Sequence, residues 1–201
     1  LLVTLQQENL GEMSCKPSIG GVAKGIIVKE VDALGGIMGK AIDMVSIHSN
    51  VLNASKGPAV HGPRAQADRD LYKSAIQSIL ADIPNLFLKF ASVEDLIIEK
   101  SFIKGVVLNG GETILAPAVV LTTGTFLNGL IHIGRTKIPA GRIDENPSIG
   151  LAAALKRLDF KLGRLKTGTP ARLDSDSINW NVLAVQPGDN PPKPFSVLTD
   201  K

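Results

Sequence analysis

Ala118-Val119-Val120-Leu121-Thr122 is apolar at successive positions rather than alternate ones, and Thr123-Gly124-Thr125 ends it on a turn. A strand with no polar face is one buried on both sides, as in a parallel sheet covered by helices. Just before it the hydrophobic period is short. Residues 86–90, 93–99, 102–108 and 112–115 are β runs separated by turn residues, and Asn109-Gly110-Gly111 is the strongest hairpin signal among them. Further upstream, residues 65–81 read as the clearest helix. Leu71, Ala75, Ile76, Ile79 and Leu80 form one face, and Asp68, Arg69, Lys73 and Gln77 another.

A helix, a β-meander and a buried strand ending at glycine is the order found in the middle of a dinucleotide-binding α/β domain of the glutathione-reductase kind. Residues 1–5 read as a buried strand and 6–19 as a loop. From Gly20 the pattern turns helical, with Val22, Ile26, Ile27 and Val31 near 3.6 spacing; Gly35-Gly36 breaks it, and a second helix covers residues 37–45. Residues 50–64 read as an extended loop, 147–158 as a helix, and 164–194 as a turn-rich crossing into another domain. The chain holds no G-x-G-x-x-G, so the phosphate cradle of such a domain is expected upstream of Leu1. The chain opens inside a strand and ends at Lys201 without a closing signal, which reads as a fragment. The expected division is 1–165 for part of the dinucleotide-binding domain and 166–201 for the start of a second, inserted α/β domain. A parallel sheet without its first strand exposes an edge, so poor solubility or association is expected.

Composition narrows the classes. Hydrophobic residues at 44% and charged residues at 20% exclude disorder, collagen and coiled coil as the main state. Aromatics at 4% are too few for a stacking platform on single-stranded nucleic acid. The net charge of +3 is compatible with an anionic partner without identifying one. One cysteine excludes a disulfide within the chain and suggests a reducing compartment. No apolar run is long enough for a spanning helix, and no secretory start is present.

Three segments carry candidate chemistry. In Met13-Ser14-Cys15-Lys16-Pro17-Ser18-Ile19-Gly20-Gly21, the single cysteine precedes a Gly-Gly turn that opens a helix. The helix dipole, with Lys16 and Lys24 near in sequence, favours an anion or a thiolate at Cys15. A buried structural cysteine with turn glycines fits the same residues. In Asn53-Ala54-Ser55-Lys56-Gly57-Pro58-Ala59-Val60, small residues allow close backbone approach, and Lys56, Arg64 and Arg69 suit phosphate or carboxylate. A solvated loop is the other reading. Residues 163–172 form a basic loop that lacks the P-loop order, which leaves a hinge or an anion contact. His48, His61 and His132 have no metal-ligand spacing and read as packing or surface residues. Tyr72 and Trp180 are isolated and read as packing residues. Ser14 and Ser55 lack a nucleophile-elbow context, and no carboxylate pair stands out.

Taken together, these stretches resemble the GidA/MnmG family of FAD-dependent enzymes that modify the wobble uridine of certain tRNAs. The resemblance is carried by Met13-Ser14-Cys15, Gly20-Gly21, Lys24-Gly25, the run Val28-Lys29-Glu30-Val31-Asp32-Ala33-Leu34-Gly35-Gly36, residues 53–60 and 64–69, residues 119–126, Ile131-His132-Ile133-Gly134, and residues 163–170. It implies an FAD-binding domain with an inserted α/β domain and a helical C-terminal part. It further implies a homodimer, a GTPase partner of the MnmE family, tRNA as substrate, and a cytoplasmic location (the mitochondrial matrix in a eukaryote). The implied chemistry reduces FAD with NADH and takes a one-carbon unit from methylenetetrahydrofolate to install a 5-carboxymethylaminomethyl group. By the same resemblance Cys15 is a catalytic cysteine. Val93 and Ser148 contact FAD, and Gly20, Gly21, Lys56 and Gly124 are cofactor-binding positions. Lys16 stands where the family usually has Asn, and His61-Gly62-Pro63 replaces an Arg-containing run. The missing glycine fingerprint and second cysteine imply that the segment alone is inactive. A folate-dependent tRNA uracil methyltransferase-like flavoprotein and a non-catalytic remnant of the family are the alternatives.

Overall fold

The computed structural model describes residues 1–14, 16–21 and 23–199. In chain order the elements are β1 (Leu2–Thr4), β2 (Ser18–Gly20), α1 (Lys24–Ala33), α2 (Ile37–Val45), β3 (Ser46–Leu52), β4 (Gly62–Ala67), α3 (Arg69–Ala81), β5 (Leu88–Phe90), β6 (Val93–Glu99), β7 (Phe102–Leu108), β8 (Thr113–Leu115), β9 (Leu130–Ile133), β10 (Thr136–Pro139) and α4 (Gly150–Arg157). They fall into two compact units. One is Leu1–Glu8 with Phe87–Lys166, the other Asn9–Leu86 with Thr167–Lys201.

In the first unit β1 pairs parallel with β5, from Leu2↔Leu88 to Thr4↔Phe90. Strands β6, β7 and β8 form an antiparallel meander, as expected from short β runs separated by turn residues. Gly105 sits at φ +156, and a Cβ there would run into the Ile114 carbonyl of β8, which explains a glycine in the middle of β7. Helix α4 buries Leu151, Ala154 and Leu155. Strands β9 and β10 make a separate hairpin that the sequence did not suggest.

Residues 118–122 correct the opening expectation. They form no strand, and Val120 is 84% exposed. An apolar run of this kind is stable as a strand only between two others, and none of the described residues pairs with it.

The second unit is built on the antiparallel sheet β2-β4-β3, covered by α1, α2 and α3. Its core joins Ile19 of β2, Ala65 and Ala67 of β4, Val28 of α1, Ala41 and Ile42 of α2, Tyr72, Ala75 and Ile76 of α3, and Phe195. Two sequence expectations change here. The loop read over 50–64 shrinks, because β3 runs to Leu52 and β4 begins at Gly62. The helix read from residue 65 begins at Arg69, because Gly62–Ala67 pairs with β2 and β3 and Asp68 caps the helix.

Helix α1 turns a different face inward from the one its apolar spacing suggests. Ile26, Ile27 and Val31 are exposed, while Gly25, Val28 and Asp32 are buried; Val22 lies outside the described residues. Gly25 is inside because a Cβ there would press on the Pro63 carbonyl and on Gly20. Asp32, 1% exposed, is inside because it is hydrogen-bonded. Its Oδ1 accepts from Ser196 Oγ at 2.6 Å and its Oδ2 from Val197 N at 2.9 Å. On α3, Tyr72 takes the inner place expected of Leu71, which is exposed.

Candidate functional site

Cys15, the candidate nucleophile, lies outside the described residues. Its described neighbours are held firmly. Arg69 Nη2 donates to the Ser14 carbonyl at 2.8 Å, Ser18 N donates to the Lys16 carbonyl at 2.7 Å, and Ala67 N donates to the Pro17 carbonyl at 2.7 Å. Ser14 is thereby tied to the first turn of α3 and Pro17 to β4. Arg69, a candidate for anion binding from sequence, serves at least in part to position the loop at Ser14.

The loop borders an open hollow of about 690 Å³ within the second unit. Ser14, Lys16, Ser18, Gly20 and Lys24 line it from the β2–α1 side, Ile37 and Met38 from α2, Tyr72 and Ile76 from α3. Gly168, from the basic loop, also lines it. Lys24 Nζ donates to the Ser18 carbonyl at 2.9 Å. Tyr72 is 4% exposed, and burial pushes its phenol up to about 12. A phenol with that pKa stays protonated and is a hydrogen-bond donor throughout the neutral range.

Gly20 and Gly21 reach this region by different demands. A Cβ on Gly20 would run into the Arg64 backbone, so the missing side chain is used by strand packing. A Cβ on Gly21 would meet nothing within 4 Å; its φ of +98 is what favours glycine. Lys56 sits on an exposed turn, where its amide donates to the Asn53 carbonyl at 2.8 Å and the Lys56 carbonyl lies 2.8 Å from His61 Nε2. His48 Nε2 lies 3.3 Å from the Gln186 carbonyl.

In the first unit three candidate positions converge. Ser148 N donates to the Phe126 carbonyl at 2.8 Å, and the Ser148 carbonyl accepts from Asn128 N at 2.9 Å. That fixes Ser148 beside the turn containing Gly124, whose φ is +56. Two residues on, Gly150 opens α4 directly against Glu94, the residue after Val93. Val93 and Ser148 are half-buried, and the Ser148 hydroxyl has no hydrogen-bond partner among the described residues. Glu94 was not singled out from sequence. Ser92 Oγ donates to its Oε1 at 2.5 Å, and the carboxylate lies over the N-terminus of α4, where the helix dipole favours it.

One sequence reading fails at residue level. Trp180 is 63% exposed, with Nε1 donating to the Ser175 carbonyl at 3.2 Å, so it is not a packing residue. Tyr72 does pack in the core, yet it also walls the hollow, which its isolation in sequence could not indicate. Among the described residues no helix is long and apolar enough to cross a membrane.

Comparison with known proteins gives concordant results. The family described as "Glucose inhibited division protein A" matches residues 1–201. The tRNA uridine 5-carboxymethylaminomethyl modification enzyme MnmG of Granulibacter bethesdensis is 56% identical over 200 residues, covering 98% of this chain and 32% of that protein. The enzyme of the same name from a Sulfurihydrogenibium species is 51% identical over 201 residues, covering 99% of this chain and 32% of the relative. Aquifex aeolicus GidA, in its form I crystal, superposes with a TM-score of 0.91 at 49% identity, over 98% of this chain and 33% of that one. The chain therefore spans about a third of the length of the relatives it matches. A match along the whole chain, at this identity and with this agreement in fold, places the chain in the glucose inhibited division protein A family.

Proposed function

We propose that this chain is part of an FAD-dependent enzyme that installs a 5-carboxymethylaminomethyl group on a tRNA uridine. The observation that carries the reading is the identity of 51–56% to enzymes named for that modification. In this reading residues 1–165 belong to a dinucleotide-binding domain of the glutathione-reductase kind, and 166–201 begin an inserted α/β domain. The basic loop of residues 163–172 and the turn-rich run that follows it to Pro194 support that division.

The residues of the first unit fit an adenosine group of FAD. Val93 offers a half-buried apolar surface and Ser148 a hydroxyl with no partner among the described residues. Gly124 adds a turn where a Cβ would meet nothing within 4 Å, so the backbone is open to approach. In the second unit Gly21 offers the same openness, and Lys56 an exposed cation. Gly20 belongs to the same set through its place at the end of β2. When bound, the flavin supplies reducing electrons taken from NADH. Cys15 is assigned the nucleophile or acid–base role at the uridine, and methylenetetrahydrofolate the one-carbon unit. A GTPase of the MnmE family, a homodimeric state and a cytoplasmic location complete the proposal. The tRNA would meet the chain partly through Arg164 and Lys166 of the basic loop.

The test uses the full-length gene product. Protein purified with flavin bound, and modifying tRNA uridine when given NADH and methylenetetrahydrofolate, is the expected result. Cys15→Ser is expected to abolish modification while flavin stays bound; full activity in that variant removes the catalytic assignment. Protein that neither holds flavin nor modifies tRNA overturns the whole reading. Arg164→Ala with Lys166→Ala is expected to weaken tRNA binding and to flatten its salt dependence.

A further inference from the structure

The hollow of the second unit contains a polar group with no partner. Tyr72 is 96% removed from solvent by its 4% exposure, and it forms part of the hollow's wall. Among the described residues nothing donates to or accepts from its hydroxyl. The hydroxyl is also not one of the sealed, unpaired polar atoms of the fold, and the hollow is the space that Tyr72 borders. Buried polar groups in native proteins almost always have partners, so a phenol left this way beside a hollow points to a ligand group that supplies one.

The surroundings restrict what that ligand is. A volume of about 690 Å³ suits a small molecule or one base of a nucleic acid. Ile37, Met38 and Ile76 make one side apolar, which suits the face of a flat ring. Lys16 lies at the rim and makes no ion pair with the described residues, which suits an attached phosphate. Since the phenol stays protonated, it favours an acceptor such as a ring carbonyl.

We infer that Tyr72 donates a hydrogen bond to a carbonyl oxygen of the substrate uridine's pyrimidine-2,4-dione ring, with the ring lying on Ile37, Met38 and Ile76. The inference rests on the proposed tRNA-uridine function and adds to it a specificity-determining residue. The flavin ring system carries the same dione edge, so the experiment separates the two sources.

The measurement is equilibrium binding of tRNA to the full-length protein without reductant. Three tRNAs are compared, with uridine, 2-thiouridine or 4-thiouridine at the modified position, because sulfur is a weak acceptor. Tyr72→Phe, which keeps the ring, is expected to weaken binding of the uridine tRNA about three- to tenfold, the range for one neutral hydrogen bond. One of the two thio-substituted tRNAs is expected to cost the wild-type protein the same factor and Tyr72→Phe nothing further. Equal affinities of variant and wild type, or losses that simply multiply, overturn the inference. A changed absorbance of bound flavin in Tyr72→Phe with unchanged tRNA affinity places the phenol on the flavin and also overturns it. Should Tyr72→Phe not fold, the wild type alone decides: equal affinity for all three tRNAs rejects the contact. Wild-type protein that fails to bind any of the tRNAs instead defeats the proposed function beneath it.

Discussion

Tyr72 is the only tyrosine of the chain, which makes its ionisation directly readable. Its pKa in the folded chain is raised to about 12 by burial, against an unfolded value near 10. Below pH 10 both states hold the proton and stability does not depend on this group. Between pH 10 and 12 the unfolded chain releases the proton while the folded chain keeps it, so stability falls as pH rises. The expected loss across that window approaches roughly 2–3 kcal/mol, and Tyr72→Phe should lack it. Urea midpoints of both proteins at pH 9 and above 11 check this; parallel slopes with pH would reject the shift. Gly20 and Gly21 give a second comparison at this scale. Each has a positive φ that costs another residue about 1–3 kcal/mol. Only at Gly20 does a new Cβ also meet backbone, so Gly20→Ala should destabilise clearly more than Gly21→Ala in the same urea experiment. None of this was legible in the sequence. Two adjacent glycines look alike there, and a lone tyrosine on an amphipathic helix looks like packing. The partner that crowds one glycine, and the hollow that the tyrosine borders, come from β4 and α2, far away along the chain.

Elements were legible where their signal is local. Helix α2 follows from an apolar stripe bounded by Gly35-Gly36, and the meander β6-β7-β8 from short β runs punctuated by turns such as Asn109-Gly110-Gly111. Strands β3 and β4 were not legible. Ser46–Leu52 and Gly62–Ala67 are short and rich in polar or small residues, and they are strands because β2 and each other supply the ladder. Helix α1 shows the opposite failure. Its periodicity is real, but Asp32 and Gly25 claim the inner face through a hydrogen-bonded carboxylate and a close backbone contact. The start of α3 depends on a cap that sequence had counted as a solvent-face residue. Asp68 Oδ1 accepts from Asp70 N and Leu71 N, each at 3.0 Å. Asp68→Ala is expected to cost about 1 kcal/mol, and Asp68→Asn much less, because Asn caps nearly as well. Equal losses for the two in thermal unfolding would mean that the cap does not hold this helix start.

At the scale of the second unit, the question is what keeps residues 167–199 folded when they contribute no α-helix and no strand. The segment is held at separated points. Asp189 N donates to the Ser49 carbonyl at 2.8 Å, and Val51 N donates to Asp189 Oδ2 at 3.1 Å, which ties the segment to β3. Further on, two carboxylates grip the turn after Pro194. Asp43 accepts from Phe195 N at 2.6 Å, Ser196 N at 2.8 Å and Thr199 Oγ1 at 2.7 Å, while Asp32 accepts from Ser196 Oγ and Val197 N. Lys29 donates to the Phe195 carbonyl and lies over the Phe195 ring. Hydrogen bonds to a charged group contribute about 1.5–3 kcal/mol each, and a short turn cannot lose one grip and keep the geometry of the other. Asp43→Ala should therefore cost roughly 2–4 kcal/mol, less than the sum of its bonds, because the freed turn regains water. Hydrogen exchange distinguishes local from cooperative release. In Asp43→Ala the amides of Phe195 and Ser196 should lose protection, and Val197, though bonded to Asp32, should lose it with them. Asp189, held independently on β3, should keep its protection. Val197 protected as in the wild type would show two independent grips, and Asp189 exposed as well would show that the whole segment opens as one unit.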